Sequence, residues 1–226
     1  MAKAWLICKK GLWWLFILQL MYIFFCKWIN PPITITQTAS ILQGNGLHRD
    51  YVAFKEMSPN IKLAVMASED QIFPEHNGFD IKAIKKAMTY NKKHATKVRG
   101  ASTISQQVAK NVFLWQGRSM FRKGLEVYFT FMIEKIWSKK RILEMYLNVA
   151  EMGKGIFGVQ AASKVYFNKD AKNLTRAEAA MIAAALPNPK VYTIKPMSGY
   201  VAKRYPEIMR QMDNLDGDEG IDELTK

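Results

Sequence analysis

The chain has 226 residues, 49% of them hydrophobic, and 33 Lys plus Arg stand against 19 Asp plus Glu for a net charge of +14. That apolar content excludes global disorder, and the length suits one medium domain with an appendage. A surface this basic attracts polyanions, whether nucleic acid, anionic lipid or a phosphorylated substrate, and charge alone does not choose among them.

Residues 11–29 read GLWWLFILQLMYIFFCKWI, interrupted only by Gln19 and Lys27. About nineteen helical residues span roughly 28 Å, close to the thickness of a bilayer's hydrocarbon core. Lys27 can snorkel to the interface, and Trp13, Trp14, Tyr22 and Trp28 suit the interfacial belts. Lys3, Lys9 and Lys10 precede the run, so the positive-inside rule keeps residues 1–10 in the cytoplasm. A cleaved signal peptide is the rival, but the run is long for one and no A-x-A site follows at once. The expectation is one uncleaved transmembrane helix in a bacterial inner membrane, with the catalytic part periplasmic. Cys8 and Cys26 both lie in or beside it, so the exported part has no disulfide or thiol chemistry. Nucleic acid is then a poor partner, and lipid headgroups or a lipid-linked phosphate are better ones.

Residues 30–50, with Pro31-Pro32, an ITITQT run and Gly44-Asn45-Gly46, predict an extended connector. Ser58-Pro59 predicts the start of a helix to about Ser68, and Asp80 caps another with Ile81, Ile84 and Met88 on one stripe. Residues 92–100 are polar, basic and aperiodic, and read as a mobile loop. Thr103-x-x-Gln106 fits a capping box, with Ile104, Val108, Val112 and Trp115 as the buried stripe. Thr103, Gln106, Gln107 and Lys110 fall on another face, at a helix end that favours anions. Two helices follow over 120–137 and 139–150. Thr175-x-x-Glu178 opens an alanine-rich helix that Leu186-Pro187-Asn188-Pro189 stops, and a last helix covers 200–215. The acidic residues 216–226 read as a disordered tail. No alternating strand series is evident, so the fold is mainly α.

Scattered His48, His76 and His94 make a dedicated protein metal site an unpromising reading, and no serine is followed three positions on by lysine, so the S-x-x-K motif is absent. Carboxylates, amides and cations remain. Glu69 and Asp70, in ASEDQIFPEHNGFD, are adjacent acids near apolar groups, as a general base with raised proton affinity requires. A solvated helix end is the bland alternative and, on spacing alone, the commoner one. Glu126, in RKGLE, equally reads as a surface pair with Arg122. Lys110 and Arg118 equally read as solvated cations.

The strings EDQIFPEHNGFD, GASTISQQVAKN, RKGLE, KKRILEMYLN and RAEAAMIAAALPNP, in this order, resemble the five motifs of the peptidoglycan glycosyltransferase family. The resemblance covers residues 52–189 and is closest to the monofunctional members, since no transpeptidase region follows. It departs at Ala101 and Ser105, where the family's pattern has Gly and Thr. It implies a lysozyme-like helical catalytic domain over 51–215, preceded by the single anchor at 11–29. It also implies polymerisation of lipid II into β-1,4-linked glycan with inversion and loss of undecaprenyl pyrophosphate. On the same resemblance Glu69 and Glu126 are catalytic. Asp70, Phe73, His76, Ser102, Thr103, Gln106, Gln107, Lys110, Arg118, Arg122 and Lys123 bind substrate, with Lys110 and Arg118 at the pyrophosphate. Mg²⁺ is implied on the pyrophosphate, bridged to Glu126. The growing glycan, the bilayer and cell-division or elongation proteins are the implied partners. A muramidase and a non-enzymatic scaffold are the rival classes.

Overall fold

The computed structural model describes residues 2–94, 100–117 and 119–226. Helices dominate: α1 (Ala2–Cys26), α2 (Ile35–Leu42), α3 (Pro59–Glu69), α4 (Ile81–Lys93), α5 (Ile104–Phe113) and α6 (Met120–Ile136) come first. α7 (Lys139–Val149), α8 (Val159–Phe167), α9 (Arg176–Ala185), α10 (Gly199–Leu215) and α11 (Glu219–Thr225) complete them. Three very short strands, β1 (His48–Arg49), β2 (Glu151–Gly153) and β3 (Ile156–Phe157), form a small sheet in the order β1-β3-β2. β1 runs parallel to β3, and β2 antiparallel to it.

The body has two helical halves. In one, α3 lies against α9 and α10 and is buried from Ile61 through Ala67. α9, packed on both, buries Ala179, Ala180, Ala183 and Ala184, whose small side chains let neighbouring backbones approach closely. In the other, α5 packs on α6 and α7. Gly158 joins β3 to α8 at φ +83°, where an added Cβ would stand 2.5 Å from the Asn148 carbonyl oxygen. Gly158→Ala should therefore lower stability by about 2–4 kcal/mol, measured by denaturant unfolding in detergent.

Three expectations need correction. Residues 30–50 are not all extended, because α2 lies within them. Thr34 accepts from Gln37 N–H at 3.2 Å while Gln37 Oε1 accepts from Thr34 N–H at 3.1 Å, a capping box that the β-branched run conceals. Residues 216–226 are not a disordered tail. Asp218 caps α11, Ile221 and Leu224 bury against α3, and buried Lys62 donates to Thr225 O at 3.2 Å. Lys62 also lies 3.9 Å from the Phe54 ring centre, and burial lowers its pKa to about 8. Trp115 is 43% exposed rather than buried, because α5 ends at Phe113 and Leu114 turns inward instead.

The apolar helix starts earlier than the run read from sequence: the stretch long and apolar enough to cross a membrane is Trp5–Cys26. Its far end is locked to the body. Arg141 Nε and Nη2 donate to Cys26 O at 3.1 and 2.9 Å, a cation on the open carbonyls of a helix C-terminus. Arg141 also pairs with Glu144 at 2.8 Å, and Glu144 accepts from Phe54 N–H at 2.9 Å. Trp137 Nε1–H donates to Ile23 O at 3.0 Å, and Gln19 donates to Tyr128 Oη at 2.6 Å. α6 thus lies alongside α1 with both chains running the same way. It buries Arg122, Glu126, Thr130 and Ile133, and exposes Met120, Phe121, Val127 and Phe131.

Candidate active site

Glu69 is the last residue of α3, where the chain leaves the helix at Asp70. Its Oε2 accepts from Gln107 Nε2 at 2.8 Å and its Oε1 from Ser68 Oγ at 3.4 Å. Gln107 has no freedom to flip, because its own Oε1 accepts from Tyr146 Oη–H at 3.3 Å. Tyr146 is fully buried in α7, and burial together with the nearby Glu69 charge keeps it a neutral donor. Burial also raises the pKa of Glu69. The bonds from Gln107 and Ser68 and the charge of Arg204 oppose that rise, and Asp70 adds to it. A partly desolvated carboxylate with one fixed donor is a stronger base than a solvated one. The bland reading of a solvated helix end does not describe this group.

Asp70, Phe73, His76, Thr103 and Gln106 hold the site together. Asp70 accepts from His76 Nε2–H at 2.9 Å and from Ile104 N–H at 3.0 Å, so it joins the end of α3 to the start of α5. Gly78 N–H donates to His76 Nδ1 at 3.0 Å, which leaves the proton on Nε2 facing Asp70. Thr103 donates to Gly78 O at 2.7 Å and forms the capping box with Gln106. Phe73 is wholly buried, 4.5 Å from the Lys139 ammonium. These polar atoms are spent on the scaffold. Ser102 is exposed at the rim.

A cavity of about 610 Å³ lies over Glu69, walled by Asp80 and Ala83 at the start of α4, by residues 100–103 and by Pro187. A second, of about 350 Å³, is lined by Lys110, Asn111, Tyr146, Asn188 and Lys190. The two share Gln107 and Pro187. They therefore adjoin as one groove, with the carboxylate on one side of Gln107 and the ammonium on the other. Burial lowers the pKa of Lys110, and the charges of Glu126 and Glu69 partly restore it. Arg118 lies outside the described residues, as do residues 95–99 of the loop expected over 92–100.

Glu126 is not on a helix surface. It is 2% exposed, and Arg122 Nη1 donates to its Oε2 at 2.8 Å while Lys123 Nζ holds its Oε1. Arg122 Nε also donates to Gly117 O at 2.9 Å, fixing the turn ahead of α6. With both oxygens taken by cations, Glu126 organises positive charge and does not suit a metal ligand. Among the described residues no group of three or more His, Cys, Asp or Glu could hold a metal ion.

Some contributors escaped sequence reasoning. Tyr146 stands inside the KKRILEMYLN string, but nothing in its spacing signals an orienting hydroxyl. α10 brings Arg204 and Tyr200 within electrostatic range of Glu69, from outside every motif. α2 contributes Thr36, which accepts from Gln116 Nε2 at 3.0 Å and lines the second cavity.

Fold and site together define a helical protein with a desolvated carboxylate, Glu69, set beside a lysine-lined groove. The chain belongs to the transglycosylase family, whose profile matches residues 36–213, and it is a glycosyltransferase. It is 54% identical over 185 residues to the biosynthetic peptidoglycan transglycosylases of Shigella boydii serotype 4 and of Escherichia coli K12. Each match covers 80% of this chain and 76% of the relative. Its activity is that of a peptidoglycan transglycosylase.

Proposed function

We propose that this glycosyltransferase polymerises lipid II, with the growing glycan on its lipid pyrophosphate as donor and an incoming lipid II as acceptor. The observation that carries the reading is the shared groove: a carboxylate of raised proton affinity and a half-buried ammonium on opposite sides of one oriented amide. Glu69 takes the proton from the acceptor's 4-hydroxyl. The freed oxygen attacks C1 of the donor sugar from the face opposite the pyrophosphate, inverting the α linkage to β-1,4. Negative charge builds on the leaving pyrophosphate, and Lys110 with Arg118 stabilises it as it forms. Glu126 keeps Arg122 and Lys123 positioned to extend that positive field. Both Glu126 oxygens are already bonded to Arg122 and Lys123, so this reading gives Glu126 no general-acid step. If a divalent ion takes part, it arrives on the pyrophosphate oxygens.

The same reading places α1 across the inner membrane with its N-terminus cytoplasmic and the body periplasmic. Exposed Met120 and Phe121, at the end of α6 that points the way α1 enters the bilayer, then reach the headgroups beside the lipid-linked substrate. In this reading the chain carries no transpeptidase activity, and any division or elongation partner binds outside the groove. The test is a lipid II polymerisation assay with and without Mg²⁺, resolved by chain length. Long glycan from the wild type supports the proposal. Release of soluble muropeptides from purified cell wall, without polymerisation, would replace it with a muramidase.

A further inference from the structure

α4 stands apart from the rest of the body: none of its 13 residues is buried. Ala83, Ile84, Ala87, Tyr90 and Asn91 make one half-buried side, at the spacing of a helix face turned to the body. The opposite side carries Lys82, Lys85, Lys86, Lys92 and Lys93, and the helix has no acid at all. Along the edge of that lysine face, on the stripe they share with Ile84, Ile81 and Met88 are 56% and 57% exposed. A basic face flanked by exposed apolar side chains is the pattern of a helix lying in a membrane interface.

Its place in the fold brings a bilayer near. The chain enters α4 from Gly78, whose Cβ position would stand 2.8 Å from Thr130 and 2.9 Å from Glu134 of α6. α6 in turn is bonded to α1 at Gln19 and Ile23. α4 therefore leaves the flank of the helix that lies alongside the anchor, and its first turn is also a wall of the Glu69 cavity. Resting on the membrane-anchored reading above, we propose that the lysine face of α4 docks on anionic phospholipid headgroups and so holds the outer wall of that cavity against the membrane. None of these lysines, nor Met88, lines the Glu69 cavity.

The test uses the full chain with Cys8→Ser and Met88→Cys, Cys26 being buried, and an environment-sensitive thiol label at position 88. The protein is reconstituted in phosphatidylcholine vesicles with and without phosphatidylglycerol. The label should shift to the blue and resist an aqueous quencher only when phosphatidylglycerol is present. High salt should reverse the effect, and replacing the five lysines by Gln should abolish it. Each lysine contributes roughly a fivefold preference for an anionic surface, so the loss should be graded as lysines are removed. The same spectrum in both lipids, or an equal shift in both, overturns the proposal. Polymerisation measured in the phosphatidylglycerol vesicles is a separate readout: its absence there would sink the lipid II reading while leaving the label result to decide the role of α4.

Discussion

Glu69→Gln should abolish polymerisation, lowering the rate by about 10³-fold or more, while the folded protein keeps its shape. Gln fills the same volume and can still meet Gln107, but it cannot accept a proton from the attacking hydroxyl. The wild-type rate should fall toward acid pH, with a midpoint above that of an ordinary carboxylate, because burial raises the proton affinity of Glu69. Wild-type activity in the Glu69→Gln variant would remove this residue from the chemistry.

The same substitution should make the fold more stable, which a purely structural glutamate would not do. A carboxyl whose pKa is raised by folding favours the native state below its unfolded value of about 4.3. That contribution is lost as pH rises through the raised native value, and above it the ionised group strains the fold. Gln has no charge to desolvate, so the variant's advantage should grow with rising pH and then level off. At neutral pH the unfolding midpoint should rise by about 2–4 °C for each ~1 kcal/mol of relieved strain. Thermal scans of both proteins across that pH range test it. A site that trades stability for basicity gives opposite signs in the two assays.

How much of this was readable beforehand follows the physics of each part. The caps of α3, α5 and α9 were legible because Ser58, Thr103 and Thr175 act on N–H groups only two or three residues away. α2 was missed because Thr34 and Gln37 carry the same local signal inside a run of β-branched residues, which argues for extended chain. α11 was missed because its acids dominate the composition. Its two buried side chains, Ile221 and Leu224, matter only through α3, far away in sequence. The site divides in the same way. Glu69, Gln107 and Lys110 lie in short strings, so a family resemblance could point to them. It could not show that Asp70, which also lines the groove, and His76 bind the motifs to each other. That role depends on which hydrogen bonds are already occupied. Arg204 and Tyr146 reach Glu69 only through the packing of α10 and α7, and no spacing rule encodes it.

Lys110 carries the second large effect. Lys110→Ala should lower kcat by about 10²–10³-fold with a smaller change in KM, because the ammonium acts on charge that exists only once the pyrophosphate begins to leave. Among the described residues no carboxylate lies within ion-pair distance of it, so its charge stays available to a ligand. A muramidase has no pyrophosphate to stabilise and would tolerate the change. Lys110→Arg separates charge from mere size. Burial lowers the pKa of Lys110, so the wild type should lose activity on the alkaline side earlier than an ordinary lysine would allow. A guanidinium does not deprotonate in that range. Lys110→Arg should therefore keep a measurable rate and move the alkaline limb upward, leaving the acid limb set by Glu69 in place. If the alkaline limb stays where it was, another group sets it, and the cation beside Gln107 is not the one that meets the leaving group.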